Sequence, residues 1–351
     1  MQRCFNVDDL NPIPRLGLIA AASPVTALPE LAQELGLDYL GVKRDDQIDA
    51  FHGGNKPRKL DYLLAVPPFS EARTWAALGA IGSGNMVALV AAAAHLDRRV
   101  EAHLFWEPIS EGVIDNLAFV ASGPAAIRFH LSRFTAVLRR PTLVLGSGSG
   151  DPAVLPVGST SPRSTLGSIR AGLELADQIV AGELPVPDQL YLALGTGGTS
   201  VGIALGLAMA GLETEVIAVS VVERLFTTWS QMARLRSLVA AFVGQQGLDV
   251  AAHRATERFV IDRSQLGPGY AVVTPASQRA CRRLADQGIP LEPIYTGKAM
   301  AGLLAAADRG QLRGKKVLFW NTRHGGPLPC HDAWRCKLPA DLASRLARAA
   351  P

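Results

Sequence analysis

The chain has 351 residues, a formal net charge of +4, 48% hydrophobic residues and 19% charged residues. This length predicts about two domains, and the high apolar fraction excludes wholesale disorder. A small positive charge without a dense stripe of lysine and arginine argues against a nucleic-acid partner. No uninterrupted apolar run reaches the roughly 18 residues that a membrane span requires, so no membrane partner is expected.

The cysteines and the N-terminal segment bear on the compartment. The four cysteines form no regular framework: Cys4, Cys281, Cys330 and Cys336. Such a chain is typical of the cytoplasm, with reduced thiols. Cys330 and Cys336 match no familiar zinc spacing, so no metal is expected. The apolar segment 16–22 follows Asp8 and Asp9, where a signal peptide would carry positive charge, so a core or strand segment is expected there.

Strand-like and helix-like patterns alternate along the chain. Apolar, β-rich runs predict strands at 39–43, 74–78, 100–106, 189–194, 215–222 and 316–320. Helical spacing predicts helices at 57–66, 86–95 and 200–210, and an amphipathic helix from Leu338 onward. Strands that alternate with helices favour parallel sheets covered on both faces, which is an α/β architecture.

The first motif with chemical potential is Phe-His-Gly-Gly-Asn-Lys-Pro-Arg-Lys-Leu at 51–60. Gly53 and Gly54 let the backbone pass close to a bulky group, and Pro57 suits the first turn of a helix. Lys56 at that helix start lies in a positive potential that disfavours its protonation, as Schiff-base chemistry needs. A surface lysine is the alternative for this motif alone. Of the seven lysines, however, only Lys56 has both features.

The second motif joins a strand to a buried helix and consists of Gly195, Thr196, Gly197, Gly198 and Thr199. Its amides and hydroxyls at a helix N-terminus suit a phosphate. Ser200 stands where a dinucleotide fingerprint needs a third glycine, and the Gly-Lys pair of a nucleotide P-loop is absent. A phosphate monoester is therefore favoured over NAD or ATP.

The third motif is the turn Gly-Ala-Ile-Gly-Ser-Gly-Asn at 79–85. Ser83 and Asn85 are good helix N-caps, and capping alone would explain them. The free amides of the turn would equally suit a carboxylate. A reactive lysine, a phosphate cup and a carboxylate-binding turn are together the parts of a pyridoxal 5′-phosphate (PLP) site for amino acids.

The sequence resembles the family of 1-aminocyclopropane-1-carboxylate deaminase and D-cysteine desulfhydrase, within the tryptophan-synthase-β-like PLP enzymes of fold type II. The matching segments are Lys-Arg-Asp-Asp at 43–46, Gly-Gly-Asn-Lys-Pro-Arg-Lys-Leu at 53–60, Pro-Val-Gly at 156–158, Leu-Gly at 166–167, Gly-Thr-Gly-Gly-Thr at 195–199, Gly-Pro-Gly-Tyr at 267–270 and Pro-Ile-Tyr-Thr-Gly-Lys-Ala-Met-Ala-Gly at 293–302. The resemblance runs from about Ser23 to Gly326. It implies two open, twisted, mostly parallel sheets with helices on both faces. The implied domains are a larger PLP-binding one at 1–63 and 169–351, and a smaller inserted one at 64–168.

The resemblance also implies the site. Lys56 is the implied PLP lysine and the base that removes the α-proton. The implied catalytic residues are Lys56, Ser83, Tyr270 and Tyr295. The implied cofactor-binding residues are Lys56, Asn55, Asn85, Gly195, Thr196, Gly197, Gly198, Thr199 and Thr322. The residues implied to bind the substrate carboxylate are Ser83, Gly84, Asn85 and Met86.

Three departures from the family pattern bear on activity. The turn is Ser-Gly-Asn at 83–85, where the family usually has Ser-Asn-His. Tyr295 is followed by Thr296 instead of glutamate, which argues against opening of a cyclopropane ring. Two extra residues separate Thr322 from the glycines at 325–326. A neutral Thr322 hydroxyl is the expected partner of the pyridine nitrogen.

These observations predict a PLP-dependent lyase that carries out α,β-elimination on a β-substituted amino acid, with deamination or desulfhydration, as in D-cysteine desulfhydrase. A β-replacement synthase and an amino-acid deaminase with a specialised substrate are alternatives within the family. A non-catalytic protein that binds a phosphate ligand is an alternative from another class. The resemblance also implies a homodimer.

Overall fold

The computed structural model describes residues 4–145, 150–248, 258–326 and 328–349. Within them the strands are β1 Val25–Ala27, β2 Tyr39–Arg44, β3 Thr74–Ala80, β4 Arg99–Phe105, β5 Ala125–His130, β6 Ala153–Val154, β7 Gln189–Leu194, β8 Glu215–Ser220, β9 Phe259–Asp262 and β10 Lys316–Asn321. The helices are α1 Pro29–Glu34, α2 Asn55–Leu63, α3 Gly84–His95, α4 Glu111–Ser122, α5 Arg133–Arg139, α6 Thr142–Leu145, α7 Pro162–Val180, α8 Gly198–Met209, α9 Trp229–Gln245, α10 Pro275–Ala285, α11 Thr296–Asp308 and α12 Ala340–Ala349.

The larger sheet has the strand order β1-β2-β10-β7-β8-β9, with β1 antiparallel and the other strands parallel. Strand β10 shows why its sequence is continuously apolar. Leu318 and Trp320 pack in one core with residues of α7 and α8, and Val317 and Phe319 pack in the opposite core with residues of α10 and α11. A parallel strand covered on both faces needs apolar side chains at every position.

The smaller sheet has the order β5-β4-β3-β6 and is parallel throughout. Trp75 and Ala77 of β3 face the core under α3 and α4, whereas Ala76 faces the opposite side. Trp334 and Leu342, near the C-terminal end of the chain, pack in the same core as Trp75. The division of the chain into domains at residues 63/64 and 168/169 stays a prediction.

The predicted α/β architecture of two mostly parallel sheets is confirmed. All the strands and helices predicted above are present, with their ends shifted by a few residues. The expectation for 16–22 is wrong, because this segment is irregular and Leu16 is exposed. Its backbone follows helix α2 instead of a strand: Leu16 N donates to the Asp61 carbonyl and Leu18 N to the Asp61 carboxylate.

Loops that follow the carboxyl ends of strands hold the candidate functional residues. The loop after β2 leads to Lys56, the turn after β3 contains Ser83, the loop after β7 begins at Gly195, and Thr322 follows β10. In parallel α/β sheets, ligands bind at this edge of the strands. In the part of the chain that the structure describes, the helices are too short or too polar to cross a membrane.

Candidate active site

The loop before Lys56 has an unusual backbone. Residues 51–54 all have positive φ, with Gly53 at 78° and Gly54 at 81°. A Cβ atom on Gly53 would lie 2.8 Å from the Asp46 carbonyl oxygen, and one on Gly54 would lie 2.9 Å from the Thr322 carbonyl oxygen. Glycine alone fits these two positions without strain. The pair therefore lets three segments meet closely at the start of α2.

The amine of Lys56, at the second residue of α2, is poised to be a nucleophile. Burial lowers the pKa of Lys56 to about 8, although the carboxylate of Glu292 acts in the opposite direction. The sequence predicts this direction from the helix start, whereas burial is the main cause in the structure. A substantial fraction of this amine is therefore neutral near pH 7 to 8.

The glycine loop at 195–199 forms a cup at the N-terminus of α8. Gly197 has φ of 88° and occupies the N-cap position. Asn55, the residue before Lys56, donates from Nδ2 to Thr199 Oγ1 at 2.7 Å. The Thr196 hydroxyl lies 2.6 Å from that of Thr160. A direct hydrogen bond thus joins the cup to helix α2, which carries Lys56.

Lys59 lies against the cup and was not predicted from the sequence. Its Nζ donates to Thr160 Oγ1 at 2.9 Å and to the Gly158 carbonyl at 3.2 Å. A Cβ atom on Gly198 would lie only 3.0 Å from this Nζ. Burial and the charge of Lys56 lower the pKa of Lys59 well below its ordinary value. Lys59 follows Lys56 by three residues, and residues three apart lie on the same face of a helix. The spacing therefore indicates a second amine beside Lys56.

The turn between β3 and α3 lies against the loop that follows Thr322, where the His324 ring approaches Gly84. Ser83 is the N-cap of α3 and accepts a hydrogen bond from the Met86 amide. Asn85 is buried, and its Oδ1 has no hydrogen-bond partner within the described residues. Met86 is buried beneath the turn. An unpaired buried amide oxygen is costly, so its presence is typical of a site that a ligand completes.

A buried carboxyl group lies behind this turn and was not predicted. Glu107, two residues beyond β4, accepts a hydrogen bond from the Gly82 amide at 2.6 Å. Burial raises the pKa of Glu107 to about 7; the Gly82 bond opposes this effect, and the negative charge of Glu292 adds to it. The sequence hint was the place of Glu107, since β4 neighbours β3 and their carboxyl ends lie together.

Two tyrosines contact each other next to the loop 195–199. Tyr295 donates from its hydroxyl to that of Tyr270 at 3.1 Å, and a Cβ atom on Gly195 would lie 3.4 Å from the Tyr295 ring. Burial raises the pKa of both hydroxyls, so they are neutral at ordinary pH. The carboxylate of Glu292 accepts the backbone amides of Tyr295 and Thr296, which fixes the start of α11.

Thr322 connects these parts. Its carbonyl oxygen accepts the Asn55 amide at 3.4 Å, and the loop that it begins reaches the carboxylate-side turn, where His324 lies against Gly84. The structure thus joins the Lys56 segment to the loop 195–199 and to Thr322, and it brings the loop after Thr322 against the turn at 83–86. Their individual roles stay predictions.

Comparison with known proteins decides the family. Residues 18–322 match the family described as pyridoxal-phosphate dependent enzymes. The chain belongs to this family. The predicted PLP cofactor is therefore confirmed.

Individual members of the PLP-dependent family are similar over nearly the whole chain. D-cysteine desulfhydrase of Salmonella paratyphi C is 33% identical over 326 residues, which cover 91% of this chain and 96% of that protein. A solved structure of an ACC deaminase homologue has a TM-score of 0.73 at 26% identity, covering 94% of this chain and 98% of that one. Threonine deaminase isoform 2 of Solanum lycopersicum shares the fold, with a TM-score of 0.59 at 15% identity. The match covers 99% of this chain and 96% of that one.

The residues present fit PLP. The hydrogen-bond partners of Lys59 among the described residues are neutral, so this buried amine has no anionic partner there, and the PLP phosphate would supply one. The buried Oδ1 of Asn85 also lacks a polar partner among the described residues. Lys56 offers an amine with a lowered pKa, which is the kind of group that would bond to the PLP aldehyde.

Proposed function

We propose that this PLP-dependent enzyme catalyses α,β-elimination of a β-substituted amino acid, in the manner of a D-cysteine desulfhydrase. The observation that supports this most strongly is the convergence of a nucleophilic lysine, a phosphate cup and a carboxylate-binding turn in one cleft. The similarity to D-cysteine desulfhydrase over 91% of the chain supports the reaction class.

The residues would divide the work as follows. Lys59 and the loop 195–199 bind the phosphate, and Asn85 contacts the ring substituents. The turn at 83–86 binds the substrate carboxylate through its amides and the Ser83 hydroxyl. The Thr322 hydroxyl would be the neutral partner of the ring nitrogen. PLP supplies, when bound, the electron withdrawal that weakens the bonds to the α-carbon.

Proton transfer falls to Lys56 and the tyrosines. The neutral Lys56 amine would remove the α-proton as a general base, since its pKa of about 8 leaves about half of it unprotonated at pH 8. The hydrogen-bonded pair of Tyr270 and Tyr295 holds a proton on the opposite side, where the β-substituent leaves. The substrate loses its α-proton and its β-substituent, and water then converts the released enamine to a 2-oxo acid and ammonia.

Absorption spectra and product assays test the proposal. Protein supplied with PLP should develop the visible absorption band of lysine-bound PLP and should form 2-oxo acid from D-cysteine or β-chloroalanine. A normal band without 2-oxo acid from either substrate would contradict elimination and favour β-replacement or a specialised deaminase. Absence of the band would contradict the enzyme assignment and favour a protein that binds a phosphate ligand without catalysis.

Substitution of Lys59 tests the phosphate cup. Lys59→Met should weaken PLP binding by about 10- to 100-fold, because a charge-assisted hydrogen bond to phosphate contributes about 1.5–3 kcal/mol. The dissociation constant is measured by titrating the apoprotein with PLP and following protein fluorescence. Lys59→Arg should recover part of the affinity, and Lys337→Met, at an exposed lysine, should leave it unchanged. Equal affinities for Lys59→Met and Lys337→Met would contradict the assignment.

The pKa of Glu107 predicts a pH dependence of substrate binding. Because this pKa is raised to about 7, Glu107 is largely neutral at pH 6 and negatively charged at pH 8. Its charge next to the turn would repel the substrate carboxylate by about 1 kcal/mol, so KM should rise about fivefold between these pH values. Glu107→Gln should remove this rise while leaving the remaining pH dependence intact. Parallel KM profiles for both proteins would refute the prediction.

We also propose that the enzyme works as a homodimer in the cytoplasm. Apolar side chains are exposed on and near α5, including Leu131, Phe134, Leu138 and Leu225, and such clusters are typical of protein interfaces. All four cysteines are free, which favours a reducing compartment. Light scattering should give twice the chain mass for the native protein and a smaller mass for Leu138→Glu. A monomer mass for the native protein would contradict the dimer.

A further inference from the structure

The two residues that lengthen the loop after β10 place a histidine on the carboxylate-binding turn. His324 Nε2 lies 3.1 Å from Asn116 Oδ1. The Cδ2 atom of its ring lies 3.9 Å from where a Cβ atom of Gly84 would stand. Because the ring is enclosed, the pKa of His324 is lowered and the imidazole is neutral. Both ring nitrogens face an acceptor, Nε2 the Asn116 oxygen and Nδ1 the Gly325 carbonyl oxygen at 3.2 Å, and the neutral ring has one N–H to donate; the tautomer protonated on Nε2 donates to Asn116.

Asn116 links His324 to the turn by hydrogen bonds. Its Nδ2 donates to the Gly82 carbonyl oxygen at 2.8 Å, and Glu107 accepts the Gly82 amide on the other side. Asn116 and Glu107 are both more than nine-tenths buried. Both polar groups of Gly82 are therefore held by buried side chains just before Ser83.

The loop that carries His324 is also bonded to the segment before Lys56. Asn55 N donates to the Thr322 carbonyl, and Gly325 N donates to the His52 carbonyl. Gly54 fits against the Arg323 carbonyl with no room for a side chain. One loop thus touches both the Lys56 segment and, through His324 and Asn116, the turn that belongs to the smaller sheet.

We propose that His324 is a positioning residue that holds the turn at 83–86 in register with Lys56, and so sets the affinity for the carboxylate group of an amino-acid substrate. This inference rests on the proposed function. His324 is linked to the turn by hydrogen bonds through Asn116 and by the approach of its ring to Gly84. Its loss should therefore weaken carboxylate binding while leaving PLP attachment and proton removal by Lys56 nearly unchanged.

The test compares two small amines on the PLP-loaded enzyme. Glycine has the carboxylate and methylamine lacks it, and binding of each is measured from the change in the visible absorption of the bound PLP. His324→Ala should weaken glycine binding about tenfold, as expected for loss of a partner of a buried polar group, and should leave methylamine binding unchanged. With D-cysteine, KM should rise about tenfold and kcat should change less than threefold.

Further variants separate positioning from general damage. His324→Gln, whose amide can donate to Asn116, should recover part of the glycine affinity. Asn116→Asp keeps the acceptor for His324 but loses the donor to Gly82, so it should resemble His324→Ala. His331→Ala is the matched control, because His331 is exposed and its side chain lies outside this chain of bonds. The PLP dissociation constant of each apoprotein should equal that of the native protein.

The outcomes are distinct. Equal losses of glycine and methylamine affinity in His324→Ala, or no loss of either, would overturn the positioning role. If the native protein fails to form the visible band with PLP, the proposed function is overturned and this inference with it. A normal band with an unchanged glycine affinity in His324→Ala overturns only the inference.

Discussion

Lys56→Ala should lower the rate of 2-oxo acid formation from D-cysteine by about 10⁴-fold or more. The substitution removes both the amine that holds PLP and the base that takes the α-proton, and general base catalysis alone contributes about 10²- to 10⁴-fold. The visible band of lysine-bound PLP should disappear as well. Turnover is measured by trapping the 2-oxo acid, and the band by absorption spectroscopy of the variant after dialysis against PLP.

Two comparisons make the Lys56 result specific. Lys337→Ala removes an exposed lysine and should keep the native rate and the native band. Methylamine added to Lys56→Ala should restore a small part of the turnover, because a free amine can replace the missing base in the vacated space. Retention of the visible band in Lys56→Ala would show that another amine holds PLP and would contradict the role given to Lys56.

Local patterns in the sequence are enough to place Lys56 and the loop 195–199 at helix starts, while their roles stay predictions. Both are contiguous motifs at a helix start, and the physics that suits them to their ligands acts within a few residues. Strand β10 was predictable for the same reason, since a strand buried on both faces is apolar at every position. The segment 16–22 shows where this reasoning fails. Its apolar residues resemble a strand, but its amides bond to Asp61 of α2.

The parts that sequence reasoning missed depend on contacts between distant segments. Asn116 and His324 are 208 positions apart, and Lys59 meets Thr160 across 101 positions. Asn116 and His324 lie outside the three motifs, and Lys59 lies within the first motif but meets Thr160 only once the chain has folded. Glu107 is similar, since its raised pKa arises mainly from burial, which no local pattern encodes.

A second prediction concerns a buried cluster of charges behind the Lys56 helix. Glu174 of α7 accepts hydrogen bonds from Lys43 Nζ at 2.6 Å and from Arg58 at 2.7 and 2.9 Å. Arg58 also donates to Asp45, at 2.8 and 3.1 Å. Lys43, Asp45 and Arg58 are at most 2% exposed. The cluster thus joins β2, α2 and α7 through two cations and two carboxylates.

Glu174→Gln should lower the free energy of unfolding by about 3–5 kcal/mol, because it leaves two buried cations with one carboxylate and near-identical packing. Unfolding in urea is followed by circular dichroism and by tryptophan fluorescence, since a two-sheet protein can unfold in more than one step. Glu213→Gln makes the same chemical change in an exposed ion pair with Arg258. It should cost less than about 1 kcal/mol. Equal losses for the two variants would contradict the role of the buried cluster.

The same cluster predicts how stability depends on pH. Burial alone would raise the pKa of Glu174, but the charges of Arg58 and Lys43 outweigh it and lower the pKa from 4.5 to about 2. A carboxyl group with a lowered pKa stabilises the folded state above its unfolded pKa, and this contribution is lost as the pH falls toward the folded pKa. The stability difference between the native protein and Glu174→Gln should therefore be constant above pH 5 and shrink between about pH 4.5 and 2. Because Arg58 and Lys56 share helix α2, the variant should also hold PLP less tightly, which links this buried charge balance to the cofactor site.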